Sequence, residues 1–166
     1  MSVLVPALIV LVTVIGMELA AAWVHEKVMH GPLGWGWHRS HHEPSEGHVE
    51  RNDLYAVVFA GLSMVFFVAG DRLWWPLWWI GVGLCVYGVI YFFVHDGLVH
   101  QRWPFRYVPR RGYLRRIYQA HRLHHAVKGR ENCVSFGFVL VSPVDKLRAE
   151  LRQKRGAEPA RGGAGP

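Results

Sequence analysis

The sequence has few cysteines, and long stretches of it have no charged residues. The 166 residues contain only two cysteines, Cys85 and Cys133. Because neither belongs to a CxxC or CxxCH motif, a disulfide framework, a thioredoxin-type redox motif and a c-type haem attachment site are excluded. Charge is missing from long stretches, since residues 54–70 and 73–94 contain no Asp, Glu, Lys or Arg. Such stretches are typical of membrane helices rather than of a soluble domain.

Three apolar runs are long enough to cross a bilayer. Residues 2–24 carry one acid, Glu18, and no base. As an α-helix this run extends about 34 Å, against ~30 Å for the hydrocarbon layer. It lacks the basic start of a signal peptide, so we expect it to be retained. Residues 54–70 and 73–94 predict two more spans. Residues 133–144 are too short to span simply, and predict a re-entrant or interfacial helix, or a segment packed on the others.

The basic residues predict the orientation of these spans. Of nineteen Lys and Arg residues, only Arg72 lies in the short turn between the second and third runs. The others lie in residues 27–51 or from Arg102 onward. By the positive-inside rule those regions face the cytoplasm, which places a multi-pass protein in the inner (cytoplasmic) membrane. The net charge of +7 is then explained by orientation, by anionic lipid and by docking of an acidic soluble partner, and not by nucleic acid.

Histidine is abundant, and ten of the eleven histidines form one repeated pattern. In chain order the pattern is HxxxxH, HxxHH, HxxxxH, HxxHH. Its members are His25, His30, His38, His41, His42, His95, His100, His121, His124 and His125. On a helix the three histidines of HxxHH share a face. The two of HxxxxH lie roughly 140° apart on a regular helix, so a bulge or a helix end must bring them together.

Neutral imidazoles are good ligands for borderline metals such as Fe, Zn, Cu and Ni. Ten are too many for one ion and suit two. If buried without partners they would cost ~10–30 kcal/mol, at ~1–3 kcal/mol each, which exceeds the ~5–15 kcal/mol that stabilises a typical domain. The cluster is therefore either hydrated or metal-bound, and the regular spacing favours metal. Acids that can orient the imidazole N–H groups are Asp96, Glu26, Glu43 and Glu131. His48 lies outside the pattern and is expected to bind nothing.

The remaining segments complete the predicted architecture. Residues 112–128 predict an amphipathic helix on the cytoplasmic surface that presents the fourth box. Gly81, Gly83 and Gly88 predict close helix packing. We expect a membrane-embedded domain over residues 1–148 and a basic, disordered tail over residues 149–166. The fold class is all-α: a polytopic membrane helix bundle with a cytoplasmic helical cap that carries a histidine-rich di-metal site.

Four boxes in this order, on a small polytopic chain, resemble the fatty acid hydroxylase superfamily of membrane di-iron enzymes. Four segments are similar to the bacterial β-carotene hydroxylases within this superfamily. They are NDLYAVVF, HDGLVHQRWP, YQAHRLHH and CVSFGF, which begin at residues 52, 95, 118 and 133. The similarity covers about residues 1–148. Residues 141–143 depart from the usual Ala- and Pro-rich segment, but they touch no box.

The resemblance implies a membrane monooxygenase with two Fe ions and with O2 as oxidant. It implies electrons from ferredoxin and ferredoxin reductase. The reaction it implies is hydroxylation of the β-ionone ring of carotenoids at the 3-position, from β-carotene to zeaxanthin through cryptoxanthin. The ten box histidines carry over as metal ligands. No side chain beyond them is implied in catalysis.

Other functions remain open at this point. A fatty acyl or sterol hydroxylase or desaturase would also attack an unactivated C–H bond, which needs a redox metal. A membrane metal-binding transporter or sensor would place its ligands near mid-membrane, whereas these boxes gather at one surface. A membrane haem protein is a weaker alternative.

Overall fold

A computed structural model describes residues 3–43, 49–104 and 106–157, and the regular structure of these residues is entirely helical. The α-helices are α1 (Leu4–Val24), α2 (Trp35–His42), α3 (Leu54–Arg72), α4 (Pro76–Tyr91), α5 (Gly112–His124) and α6 (Val144–Gly156). Short π-helical segments extend α1 and α4, over His25–Met29 and Phe92–Val99. A 3₁₀ turn, Arg51–Asp53, leads into α3. The all-α prediction is confirmed.

Within the described part of the chain, three continuous helices are long and apolar enough to cross a membrane: Leu4–Met29, Arg51–Arg72 and Pro76–Val99. They correspond to the three predicted runs. Large apolar side chains on their outer faces are exposed in the isolated chain, as at Leu8 and Val65. Hydrocarbon is the solvent that suits such faces, so the protein is a membrane protein.

Small residues bring the spanning helices close together. A Cβ atom on Gly83 would lie 2.6 Å from Cβ of Thr13 in α1, and one on Gly81 would lie 3.0 Å from the Phe67 ring in α3. Both glycines therefore permit close packing, as predicted. Gly88 differs, because a Cβ there would meet nothing within 4 Å. Instead of packing against a helix, Gly88 lines a cavity.

The segment from Cys133 to Val141 is not helical, and it is buried or half-buried except at Leu140. Cys133 and Val134 are almost fully buried, and Ser135 has a left-handed backbone with φ 61°. The predicted helix is wrong here, and the prediction that the segment packs on the other elements is right. The physical reason is that its peptide groups face other elements. Its carbonyls and amides bind side chains of α1 and α5, which a helix would prevent by pairing them internally.

The predicted disordered tail is wrong for residues 149–156, which belong to α6. Leu147 and Leu151 lie one helical turn apart and are both buried, in one core cluster with Ile117 of α5. Two leucines in a charged run were enough to form an apolar stripe. Lys154 also donates to the Cys133 carbonyl at 2.8 Å. Residues 158–166 lie outside the described part of the chain.

Candidate metal centre

The two HxxxxH boxes coincide with the two π-helical segments. The His30 N–H donates to the His25 carbonyl at 3.0 Å, and the His100 N–H donates to the His95 carbonyl at 2.9 Å. Each bond spans five residues instead of four, so the wider turn places both histidines of a box on one face. Of the two alternatives that the spacing left open, a bulge or a helix end, both halves of the chain show the bulge.

Helices α2 and α5 present the two HxxHH boxes, as the spacing predicted. His38, His41 and His42 are buried on one face of α2. His121 and His124 are buried on α5. Both helices meet the ends of α1 and α4, where the HxxxxH boxes lie, and the structure brings all ten box histidines together. His48 lies outside the described residues.

Five histidines form what we call the first cluster: His25, His30, His38, His42 and His124. Neighbouring Nε2 atoms in it are 3.0–3.2 Å apart. The second cluster consists of His41, His95, His100 and His121, with His125 adjoining. Its close Nε2 pairs are 2.9–3.0 Å apart. The His125 ring stacks on His42 at 4.4 Å, so the two clusters share a border.

Hydrogen bonds at the opposite ring nitrogen define the protonation of these imidazoles. In seven of the ten histidines Nδ1 lies 2.8–3.0 Å from an oxygen that can only accept. Nδ1 therefore carries the proton, and the Nε2 lone pair points inward. The acceptors are the carbonyls of Phe136, Arg130, Val127 and Val134, the amide oxygen of Asn52, and the carboxylates of Glu50 and Asp96.

Converging lone pairs fit a cation and little else. Two Nε2 acceptors 3.0 Å apart, as in His25 and His38, have no hydrogen between them. Around a metal with nitrogen ligands at ~2.1 Å, neighbours lie ~3.0 Å apart at octahedral angles and ~3.4 Å apart at tetrahedral ones. The observed spacings of 3.0–3.2 Å in the first cluster therefore match a metal that accepts five or six ligands. Structural zinc is almost always four-coordinate, and fits this set less well.

Burial keeps the imidazoles neutral, which is the form that binds a metal. Desolvation by burial lowers the pKa of His30 to about 4. Burial, helped by the positive charge of Arg102, lowers the pKa of His100 to about 3. Both rings are therefore neutral at neutral pH, with one nitrogen lone pair available to a metal.

Only one of the four acids expected to orient imidazoles does so. Asp96 accepts from His95, whereas Glu26, Glu43 and Glu131 are exposed and form ion pairs with neighbouring bases. Sequence reasoning missed Glu50, which accepts from His41 at 2.8 Å. Glu50 and Asp53 cap each other around the turn before α3. Their E-x-x-D spacing marks that turn in the sequence, but nothing in it indicates the contact with a histidine.

Arg102 joins the acids around the second cluster. Its guanidinium contacts Glu50 at 2.8 Å and Asp53 at 2.9 Å, and approaches Asp96 at 3.8 Å. One cation thus faces three carboxylates, which offsets part of the repulsion among their like charges at this partly buried site.

An apolar cavity of about 490 Å³ lies between α1, α3 and α4, and its inner end is lined by residues that contact the histidines. Tyr91 and Phe138 form its inner wall together with Asp96. The Tyr91 ring stacks on His95 at 4.4 Å, and the Phe138 ring stacks on His25 at 5.2 Å. Farther out the cavity is lined by exposed residues of α4, among them Val89. An apolar ligand can therefore enter from the lipid and approach the rings that stack on the histidine clusters.

Glu18 connects the first spanning helix to the segment behind the histidines. One carboxylate oxygen accepts from the backbone N–H groups of Phe138, Val139 and Leu140 at 2.8–3.0 Å. The other accepts from the Tyr87 hydroxyl at 2.8 Å. Glu18 therefore holds in place the segment that carries the Phe136 and Val134 carbonyls and the cavity wall.

Comparison with known proteins gives a consistent result. Residues 10–148 match the family described as Fatty acid hydroxylase. A "Beta-carotene hydroxylase" of Paracoccus sp. (strain PC1) is 65% identical over 88% of this chain and 90% of its own length. One from Pantoea ananas is 64% identical over 91% and 86%. A plant protein, "Beta-carotene 3-hydroxylase 1, chloroplastic" of Arabidopsis thaliana, is 43% identical over 76% of this chain and 41% of its own. No solved structure matches significantly.

Proposed function

Because this chain belongs to the fatty acid hydroxylase family, we propose that it is a hydroxylating oxidoreductase for carotenoids, acting on the β-ionone ring at the 3-position. β-Carotene would become cryptoxanthin and then zeaxanthin. The observation that supports this best is the apolar cavity, which leads from the lipid-facing surface to Tyr91 and Phe138, the rings that stack on His95 and His25. A ring dissolved in the bilayer can reach the centre without passing through water. Relatives at 64–65% identity carry the name β-carotene hydroxylase, which supports the choice of substrate.

The ten box histidines are the proposed ligands of two Fe ions. When bound, iron supplies the oxidising power, drawn from O2, that an unactivated ring C–H bond requires. The protein's own residues would hold the metal, orient the imidazole ligands and exclude water. The Nδ1 acceptors fix seven of the ten rings with the lone pair inward. Tyr91 and Phe138 keep water from the inner end of the cavity and provide a flat surface on which a ring can rest.

The proposed membrane orientation and electron donor are based on the positions of the basic residues. Hydroxylation with O2 takes two electrons and two protons and releases one water. We propose that the electrons come from ferredoxin and its reductase on the cytoplasmic side of the inner membrane. Support comes from the exposed arginines of α5 and α6, such as Arg115 and Arg148. A basic surface of this kind attracts an acidic electron donor.

The direct test is expression in a host that accumulates β-carotene, followed by analysis of its pigments. We expect cryptoxanthin and zeaxanthin from the unchanged protein. His121→Ala should insert into the membrane but contain less iron and form no hydroxylated pigment. Glu43→Gln, which changes an exposed acid directly after helix α2, should form the same pigments as the unchanged protein. Unaltered β-carotene together with oxidised fatty acyl chains would contradict the proposed substrate.

A further inference from the structure

The two histidine clusters differ in what their imidazoles hydrogen-bond to. In the first cluster every Nδ1 acceptor is uncharged: four backbone carbonyls and the side-chain oxygen of Asn52. In the second cluster the acceptors are carboxylates, Glu50 for His41 and Asp96 for His95, each at 2.8 Å. The difference separates the clusters completely among the seven contacts seen in the described residues.

A carboxylate acceptor changes the imidazole as a ligand. It draws the Nδ1 proton toward itself, which makes the opposite nitrogen more electron-donating. A carbonyl or amide oxygen does this less, because it carries no net charge. A metal held by carboxylate-linked imidazoles therefore receives more electron density, and its more positive oxidation state is favoured.

The surrounding charges extend the same difference. Arg102 lies among Glu50, Asp53 and Asp96, so this corner carries a formal charge of two negative units when all three acids are ionised. The Glu50 side chain is only 12% exposed and Asp96 only 18%, so water screens their charge weakly. The first cluster instead touches the uncharged segment that holds Phe136 and Val134.

From this arrangement we propose that the two metal positions are chemically unequal, and that Glu50 and Asp96 act as positioning residues that make the second cluster stabilise the higher metal charge. The inference rests on the proposed function in requiring two iron ions, one for each cluster. It goes beyond that function because it assigns the more readily oxidised iron to His41, His95, His100 and His121.

The test uses the full chain, purified in detergent, stripped of metal and titrated anaerobically with ⁵⁷Fe(II), with Mössbauer spectra as readout. The wild type should bind two equivalents that give two distinct ferrous doublets. Glu50→Gln removes the charge but keeps an acceptor for His41. It should weaken one equivalent ~10–100-fold and shift one doublet, leaving the other in place. Asn52→Asp gives His38 a carboxylate and should tighten, and shift, the other equivalent.

Glu43→Gln is the matched control, because it removes an acid directly after α2, the helix that carries His41, and among the described residues this acid forms an ion pair with exposed Arg39. It should change neither doublet. Equal weakening of both equivalents by Glu50→Gln would mean a general structural role and would overturn the inference, as would no change in either. A wild type that binds fewer than two irons would overturn the di-iron function itself, and the inference with it.

Discussion

Glu18 offers a demanding test of how the histidine site is supported from within the membrane. Its carboxylate accepts from four donors, and it is only 5% exposed. Glu18→Ala leaves the Phe138 N–H and the Tyr87 hydroxyl buried without that acceptor. A buried donor left unsatisfied costs ~1–3 kcal/mol, so these two alone should lower the free energy of unfolding by ~2–6 kcal/mol. The N–H groups of Val139 and Leu140 add less, because they are more exposed.

Glu18→Gln keeps the shape of the side chain and removes its negative charge, so it measures how much the charge contributes. Glutamine keeps one acceptor oxygen for the backbone N–H groups, and the Tyr87 hydroxyl can turn to accept from its amide. The loss should then be ~1–2 kcal/mol, the difference between charge-assisted and neutral hydrogen bonds. Unfolding in detergent micelles, followed by circular dichroism, measures both variants, with exposed Glu26→Ala as control. The reasoning is refuted if the free energy of unfolding of Glu18→Ala lies within about 0.5 kcal/mol of the wild-type value, which is the effect of an ordinary surface substitution.

Three further predictions concern the cavity, pH and the metal. Gly88→Leu should fill the cavity and lower β-carotene turnover at least about tenfold, with iron content unchanged. Gly16→Leu is the control, because a side chain there would also meet nothing within 4 Å but would face the lipid, and it should leave turnover unchanged. Because burial lowers the pKa of His30 to about 4 and of His100 to about 3, the unfolded chain takes up protons first as pH falls below ~6.5. The metal-free protein should therefore lose up to ~1.4 kcal/mol of stability per pH unit for each such ring between pH 6.5 and those values, seen as a falling unfolding midpoint. Removing metal with a chelator at pH 7.5 should also lower the unfolding temperature, and Fe(II) should restore it; an unchanged midpoint would contradict metal support of the fold.

Much of the site could be predicted from the sequence because the signals are local. The HxxHH spacing places three rings on one helical face, and α2 and α5 confirm it. The HxxxxH spacing predicted a bulge or a helix end, and both π-helical segments provide a bulge. Long apolar runs with at most one charged residue were enough to predict the three spans.

What could not be predicted depends on contacts between distant parts of the chain. The Phe136 carbonyl meets His25 across 111 residues, and the Leu140 amide meets Glu18 across 122. No short pattern encodes such pairs. Glu50 was missed because acids nearer the boxes, such as Glu43, looked better placed. The apolar stripe of α6 was missed because charged residues dominate its composition.

The central claim is that ten imidazoles enclose a pair of iron ions. X-ray absorption at the iron edge of the purified, iron-loaded protein tests it most directly. We expect two irons per chain, each with a nitrogen-rich shell of five or six ligands at ~2.1–2.2 Å and the outer scattering typical of imidazole. A sulfur shell, or one four-coordinate metal per chain, would contradict the claim.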